Sequence, residues 1–371
     1  MRVALLSKSF VRGAYQRKAE EIARLGVDLT VLVPPRWTEA GHTTRLERAF
    51  TSGYDLVELP IAFDGHYHVH FYPTLGRWIE RLRPDVFHVD EEPYNLATFL
   101  AYQAGRRVGA RQLFFAWQNL LRRYPPPFGW MERSVMRRSD AAIAGNAPAG
   151  EVLRQKGYRG PIAVVPQVGF DPTLFAPAPT RPERPFTIGY LGRLEAQKGL
   201  IDLLEACARL RGDWRLRLVG HGPLAGELAA RAGRLGIGGR LELRQGVPST
   251  EVVPVYHGFD AVALPSRSTP SWIEQFGRIL VEGMACGVPA VGSDSGEIPH
   301  VIGEAGLVFP EGDVEALRER LQRLIDEPGL RAELVRRGRE RFLSTYTQEQ
   351  VARATVEVYR QALGQSRSAF G

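Results

Sequence analysis

Short runs of apolar and β-branched residues alternate with amphipathic helical stretches along almost the whole chain. In the first half the runs predict strands at Val3–Ser7, Leu29–Pro34, Leu56–Ala62, Val86–Asp90, Leu113–Trp117, Ala141–Ala144 and Ile162–Pro166. Helical spacing appears between them, as at Tyr15–Leu25, Leu75–Leu82 and Ala149–Lys156. Continuous apolar strands separated by helices imply a parallel sheet covered on both faces. Residues 176–185 are rich in Pro and polar side chains, belong to no periodic segment and read as a linker. The pattern then restarts, with strands predicted at Phe186–Leu191, Arg215–Val219, Leu241–Arg244, Ala261–Pro265, Ala290–Gly292 and Leu307–Phe309. The expectation is an α/β chain of two doubly wound domains, residues 1–175 and 186–345. A last helical pattern, Gln348–Leu363, has no strand after it and is expected to cross back onto the first domain. Open parallel sheets bind ligands at the carboxyl ends of their strands, so both domains should aim loops into a shared cleft.

Composition narrows this little. A length of 371 residues suits two domains of ordinary size, and 44% hydrophobic with 24% charged residues suits a soluble globular protein. No apolar run reaches the roughly 18 residues of a membrane-spanning helix. The start, Met1 to Ser7, is interrupted at once by Lys8 and reads as a buried strand rather than a secretory leader. Cys207 and Cys286 lie in helical patterns without CxxC spacing, so neither a disulfide framework nor a thiolate metal site is expected, and a reducing cytoplasm is. The net charge is +7, and among the basic residues only Lys8, Lys18, Lys156 and Lys198 are lysine. Such a surface suits anionic lipid headgroups or polyanions. Nucleic acid is not expected, because no zinc-finger, helix-turn-helix or RNP pattern accompanies the charge.

The most informative segment follows the strand Ala261–Pro265. A loop rich in Ser and Pro leads to Glu274, Gln275, Phe276 and Gly277, and a helix then carries Glu282 before it stops at Gly287 and Pro289. A helix start aimed at a cleft offers backbone N–H groups to an anion or to sugar hydroxyls, and Gly277 permits close approach. Two glutamates separated in this way, with Phe276-Gly277 between them and Gly283-Met284-Ala285-Cys286-Gly287-Val288-Pro289 after, resemble the signature of glycosyltransferase family 4. The resemblance implies the GT-B fold of two Rossmann-like domains and a retaining glycosyl transfer. It implies that Glu282 holds the ribose of a nucleotide, while Glu274 holds a donor-sugar hydroxyl with the N–H groups of Gln275, Phe276 and Gly277. The bland reading is an amphipathic helix with two surface glutamates.

A second element, Gly192-Arg193 followed by Lys198-Gly199, opens the next helix after the strand Phe186–Leu191. Two cations across a flexible turn can converge on one diphosphate and stabilise the charge that builds as it leaves, without a metal. This too resembles the family, whose Arg and Lys here bind the diphosphate; otherwise they are merely solvated. The expected co-substrate is therefore a nucleotide-diphosphate sugar, with no metal or other cofactor. Gly220 and Gly222 form a strand-to-helix glycine turn, a weak signal by itself, that the resemblance sets near the nucleotide. Val247 ends the next strand and is read as flanking the base.

The first domain supplies acceptor candidates. Gly13, with Arg12 before it, stands where the family usually has paired glycines approaching the donor phosphate. Pro166-Gln167-Val168-Gly169-Phe170-Asp171 resembles the family's hinge element, with Gln167 replacing Asn. Many relatives carry a His after the strand ending at Trp117; here Gln118 and Asn119 follow, which can hydrogen-bond but cannot titrate near neutrality. Asp90, Glu91, Glu92 and Asn95 follow another strand and offer carboxylates that orient or deprotonate an acceptor hydroxyl, or else face solvent or cap a helix. His66, His68 and His70 have period two, which would put three imidazoles on one strand face; the readings are structural, acceptor contact or metal site. Residues 112–138 mix Trp117, Tyr124, Phe128 and Trp130 with arginines, which suits either a membrane interface at the inner face of the membrane or a packed helix with a solvated face.

With no carboxylate nucleophile evident beside the sugar, the expected mechanism is front-face displacement, the leaving phosphate helping to take the acceptor proton. The acceptor is a carbohydrate, a lipid or a small molecule. The rivals are a nucleotide-sugar epimerase, which would change the donor without an acceptor, and a non-catalytic sugar-nucleotide binder, which would neither hydrolyse nor transfer it. A nicotinamide dehydrogenase is disfavoured because Ser7-Lys8-Ser9-Phe10, not a glycine fingerprint, follows the first strand.

Overall fold

The apolar runs form two separate parallel sheets in a computed structural model that describes residues 1–39, 41–179, 184–248 and 251–365. Contacts divide the chain into Met1–Gly169 with the segment from Gln348 onward, and Phe170–Thr347. Residues 180–183 of the expected linker lie outside the described residues.

The first unit contains β1 (Arg2–Leu6), β2 (Asp28–Val33), a hairpin of β3 (Arg36–Glu39) and β4 (His42–Arg45), then β5 (Asp55–Glu58), β6 (Val86–Val89), β7 (Arg111–Ala116), β8 (Ala141–Ala144) and β9 (Ile162–Val164). Its main sheet runs β5-β2-β1-β6-β7-β8-β9 with all neighbours parallel. Alternation along each strand divides the apolar side chains between two layers. Val3, Leu5, Val31, Leu113 and Phe115 meet Ala19 and Ile22 of the helix Gly13–Arg24, and Val351, Ala352, Val356 and Tyr359 of the helix Gln348–Ala362. Ala4, Leu6, Phe87, Val89 and Phe114 face the helices Leu75–Leu82, Leu96–Arg107 and Phe128–Met136 on the other side. The last helix is thus part of the first unit's core. The β3–β4 hairpin carries no apolar run, which is why its strands leave no mark in the hydrophobic pattern.

The second unit contains β10 (Phe186–Leu191), β11 (Trp214–Val219), β12 (Leu241–Arg244), β13 (Ala261–Leu264), β14 (Ala290–Ser293) and β15 (Gly306–Phe309), in the order β12-β11-β10-β13-β14-β15. Its core joins the two helical layers through Leu203, Leu216, Val262, Leu280, Val291 and Leu317.

In each sheet the strand order reverses once. The chain moves outward from β1 to β2 and β5 and then returns to place β6 on the other side of β1; likewise β10 lies between β11 and β13. Loops diverge at such a point and leave a crevice beyond the strand ends.

Candidate active site

In the second unit the crevice lies between the loops that leave β10 and β13. The β10 loop reaches Lys198 and turns at Gly199, whose φ of 65° is left-handed; a Cβ there would lie 1.8 Å from the carbonyl oxygen of Pro265, so the two loops touch backbone to backbone. That approach sets the Lys198 ammonium 2.7 Å from Oε2 of Glu274, across 76 residues of sequence. Ser266 donates to the same oxygen at 2.8 Å, and the ammonium sits 4.6 Å from the centre of the Trp272 ring. Lys198 and Glu274 side chains are 15% and 9% exposed, so the charges interact in a largely dry environment where they are felt strongly.

The neighbouring loops are tied together. Gly192 donates to Val219, Gly220 to Arg244 and Leu194 to His221 through backbone hydrogen bonds. A Cβ on Gly220 would lie 1.8 Å from the Gly192 carbonyl oxygen, and one on Gly222 would lie 2.3 Å from that of Leu194. These glycines therefore serve loop against loop. Val247 is half-buried just beyond β12, near the Gly246 backbone that borders His221. Arg193 is exposed and paired with Glu195 at 2.9 Å.

Gly277 caps the helix Arg278–Ala285 with a left-handed φ of 76°, so the helix begins just after Gln275, Phe276 and Gly277. Gln275 is exposed and the Phe276 ring meets Tyr346 at 5.9 Å. Glu282 is buried inside the helix. Tyr256 donates to one of its oxygens at 2.5 Å and Arg278 to the other at 2.5 Å. The structure therefore brings Lys198 and Glu274 together, and gives Glu282 separate partners. Tyr256, Ser266 and Trp272 join the site through folding; of these only Ser266 and Trp272 lie within the motif read from sequence.

In the first unit the crevice lies between the loops after β1 and β6. Ser7 donates to Asp90 Oδ2 at 2.6 Å, and Lys8 pairs with Glu91. His70 Nε2 lies 3.4 Å from the other Glu91 oxygen. Burial would raise the Glu91 carboxyl, but Lys8 and His70 outweigh it and hold it down at about 2. Burial pushes Asp90 up to about 6 against the pull of Lys18, and burial lowers Lys18 to about 8. Glu92 is pushed by burial up to about 7, although Oε1 accepts the backbone N–H groups of Trp117 and Gln118 at 2.7 and 3.1 Å. Among the described residues Asp90 Oδ1, Glu92 Oε2 and Asn95 Oδ1 are buried without a hydrogen-bond donor. Asn95 Nδ2 donates to Glu91 at 3.3 Å. Asp90, Glu91, Glu92 and Asn95 are thus built into one network.

Gln167 connects that network. Its Nε2 donates to Ser9 at 3.1 Å and Asp90 at 3.0 Å, its Oε1 accepts from Trp117 Nε1 at 3.1 Å, and its carbonyl accepts from Lys18 at 2.8 Å. The backbone N–H of Gly13 donates to Glu47 at 2.6 Å, so a carboxylate of the chain itself occupies that helix start. Gln118 donates from Nε2 to Tyr124 Oη at 2.9 Å, and Asn119 is buried.

The histidine reading needs correcting. Residues 66–70 do not form a strand with three imidazoles on one face; the His70 N–H donates back to the His66 carbonyl at 3.0 Å, curling the segment into a turn. His70 goes inward to Glu91 and the Trp37 ring, whereas His66 and His68 are exposed. His68 faces Tyr94, Tyr124 and Phe128, with ring centroids 5.2–6.0 Å away. Among the described residues no group of three His, Cys, Asp or Glu side chains could hold a metal ion.

Comparison with known proteins gives two family matches: residues 13–167 match the glycosyl transferase 4-like domain and residues 174–341 match glycosyl transferases group 1. The chain is 29% identical to an alpha-maltose-1-phosphate synthase of Mycolicibacterium smegmatis, over 62% of this chain and 65% of that protein. It is 28% identical to a GDP-mannose-dependent alpha-(1-6)-phosphatidylinositol monomannoside mannosyltransferase of the same organism, over 81% and 82%. It spans 56% of the length of a Mycobacterium tuberculosis glycogen synthase that it matches at 28% identity over 62% of this chain. Among solved structures, a sucrose-phosphate synthase from Thermosynechococcus elongatus superposes with a TM-score of 0.70 at 18% identity, covering 99% of this chain and 100% of that one. Anabaena HepE in complex with UDP gives 0.69 at 18%, covering 97% and 100%. These likenesses establish the fold.

Proposed function

The chain belongs to the group 1 glycosyl transferases, and on that premise we propose that it moves a sugar from a nucleotide-diphosphate sugar to an acceptor hydroxyl with retention of anomeric configuration and without a metal. The observation that carries this reading is the Lys198–Glu274 pair at the point where the second sheet reverses its strand order. A cation and a carboxylate at one crevice can serve the two ends of an activated sugar. Lys198, with Arg193 at the same loop, faces the diphosphate; Glu274 accepts a sugar hydroxyl, and the amides of Gln275, Phe276 and Gly277 steady the ligand beside it. Glu282 anchors the ribose, held ready by Tyr256 and Arg278.

In the proposed step the bond from the anomeric carbon to the leaving phosphate oxygen breaks, and its electron pair stays on the diphosphate. The acceptor oxygen bonds to the same face of that carbon, and its proton passes to the departing phosphate. Lys198 and Arg193 offset the charge that appears there, which is worth most in a site that excludes water. Asp90 and Glu92 of the first unit are carboxyls whose proton affinity burial has raised toward neutrality, which suits them to orient or deprotonate an acceptor hydroxyl.

Thermal-shift screening of nucleotide sugars identifies the donor, and incubation with candidate acceptors follows. The expected product is a glycoside with the donor's anomeric configuration, formed equally well in EDTA. An inverted product, dependence on a divalent cation, or a donor epimerised without acceptor would each overturn the corresponding part of the reading.

A further inference from the structure

The helices Leu75–Leu82, Leu96–Arg107 and Phe128–Met136 lie side by side on one face of the first unit's sheet. Their outer surface has a pattern that neither the core nor the site requires. Residues three, four and seven apart share a helix face. On the third helix the exposed Trp130 is followed at those intervals by exposed Arg133 and, just past the helix end, Arg137. On the middle helix exposed Leu100 is followed seven residues on by exposed Arg107, and on the first helix Arg77 is followed by Arg81. Arg83, Arg106 and Arg138 stand exposed at the C-terminal ends of the same helices.

Only one acid opposes them on these helices' surface. Glu80 is exposed and lies 3.9 Å from Arg107, whereas Glu132 is buried and paired with Lys156. Among the described residues no acid pairs with Arg77, Arg83, Arg106, Arg133, Arg137 or Arg138. Arginines in the last turn of a helix or just past it, Arg133 among them, complement the helix dipole, but Arg77 lies near the start of its helix and is not explained that way. At the C-terminal ends of the second and third helices, Arg106 and Arg138 line a cavity of about 460 Å³ together with Arg111 and Asp140, which pair with each other at 2.8 Å.

The apolar members decide the kind of partner. Trp130 is 51% exposed although its ring meets Phe99 at 4.9 Å, and Leu100 beside Phe99 is 38% exposed. The other aromatics of residues 112–138 are committed inward: Trp117 to Gln167, Tyr124 to Tyr94, Phe128 to His68. A nucleic-acid duplex would use the charges and leave Trp130 and Leu100 without a role, whereas a lipid surface uses both.

We propose that this three-helix face docks the protein on a bilayer containing anionic lipid. Trp130 and Leu100 enter the interfacial layer, the arginines engage lipid phosphates in paired hydrogen bonds, and Arg106 and Arg138, which have no acid partner among the described residues, take one headgroup phosphate at the mouth of the cavity. No helix among the described residues is long and apolar enough to cross a membrane, so the contact is peripheral. The inference does not depend on the donor chemistry, because none of these residues belongs to the proposed site.

The test is co-sedimentation of the full chain with vesicles of phosphatidylcholine alone or mixed equally with phosphatidylglycerol, at 0.1 and 0.5 M NaCl. Binding is expected on the mixed vesicles at low salt, weaker at high salt, and absent on phosphatidylcholine. Each arginine near an anionic surface is worth about fivefold in affinity, so Arg133→Gln/Arg137→Gln should bind roughly 25-fold more weakly; Trp130→Ala should also bind more weakly. Arg353→Gln, on the terminal helix, should bind as the wild type does, and unchanged melting temperatures confirm folding. Absence of binding at 0.1 M, or equal binding by the double variant, overturns the proposal. So does binding to duplex DNA that is as tight as to vesicles and is lost in the same variants.

Discussion

Replacing Lys198 by Ala separates what the Lys198–Glu274 pair does for the fold from what it does for the reaction. At 2.7 Å the Coulomb attraction is about 6 kcal/mol gross at an effective dielectric of roughly 20. Desolvation of both groups offsets most of it. What the variant loses is the counter-charge of a carboxylate that is 9% exposed and keeps Ser266 on the same oxygen. Breaking a buried pair from one side costs about 3–5 kcal/mol; with both groups partly wet and Ser266 retained, the lower end, about 3 kcal/mol, is expected in urea unfolding. Adding Glu274→Gln removes the stranded charge, so the double variant should be less destabilised than the sum of the single ones. Turnover should behave differently. Loss of one preorganised donor to a developing oxyanion costs about 2.7–4 kcal/mol, or 10²–10³ in kcat, and Glu274→Gln has no means of restoring it. The assay is stopped-time product formation with the donor found by screening, on samples shown folded by circular dichroism. If Lys198→Ala turns over within tenfold of the wild type, or if the double variant recovers kcat along with stability, the ammonium is structural and the proposed leaving-group role fails.

Gly199→Ala should destabilise by at least about 1–3 kcal/mol, because a left-handed φ is strained for Ala and its Cβ would overlap the Pro265 carbonyl oxygen; a urea midpoint equal to wild type would refute the backbone contact. Asp90 holds its proton to about pH 6 when folded but ionises near 3.8 when unfolded, so stability falls as pH rises between those values. Its contribution is full below the unfolded pKa and is lost through the folded one. The stability difference between Asp90→Asn and wild type should therefore move in the variant's favour by up to about 3 kcal/mol from pH 4 to pH 7; a difference independent of pH counts against the buried carboxyl. Gln167→Ala removes side-chain hydrogen bonds to Ser9, Asp90 and Trp117, each worth about 1 kcal/mol, and should raise acceptor KM more than donor KM; the reverse pattern would place Gln167 on the donor side. Tyr256→Phe leaves one Glu282 oxygen without its donor, a loss of about 1–3 kcal/mol that should appear in donor affinity measured calorimetrically, and unchanged affinity would detach Glu282 from the ribose.

The strands of both sheets were legible because burial on two faces demands continuous apolar runs, a local property that each segment displays by itself. Glycine-bearing loops after β10 and β11, and the cation and carboxylates of the second unit, were legible for a similar reason: short motifs carry their spacing with them. The β3–β4 hairpin was not, because its strands are paired by backbone hydrogen bonds and carry mostly polar side chains. The turn at His66–His70 ran against its own period-two pattern, since Glu91 and Trp37, distant in sequence, drew His70 inward. Folding likewise decided which of two adjacent carboxyls is held down at about 2 and which is pushed up to about 7, because burial raises both and Lys8 and His70 pair directly with Glu91 alone. The bridging role of Gln167, the engagement of Glu282 by Tyr256, and the alignment of Trp130 and Leu100 among arginines on neighbouring helices arise in the same way. Periodicity says which side of an element is buried, but only the packed chain says which remote residue meets it.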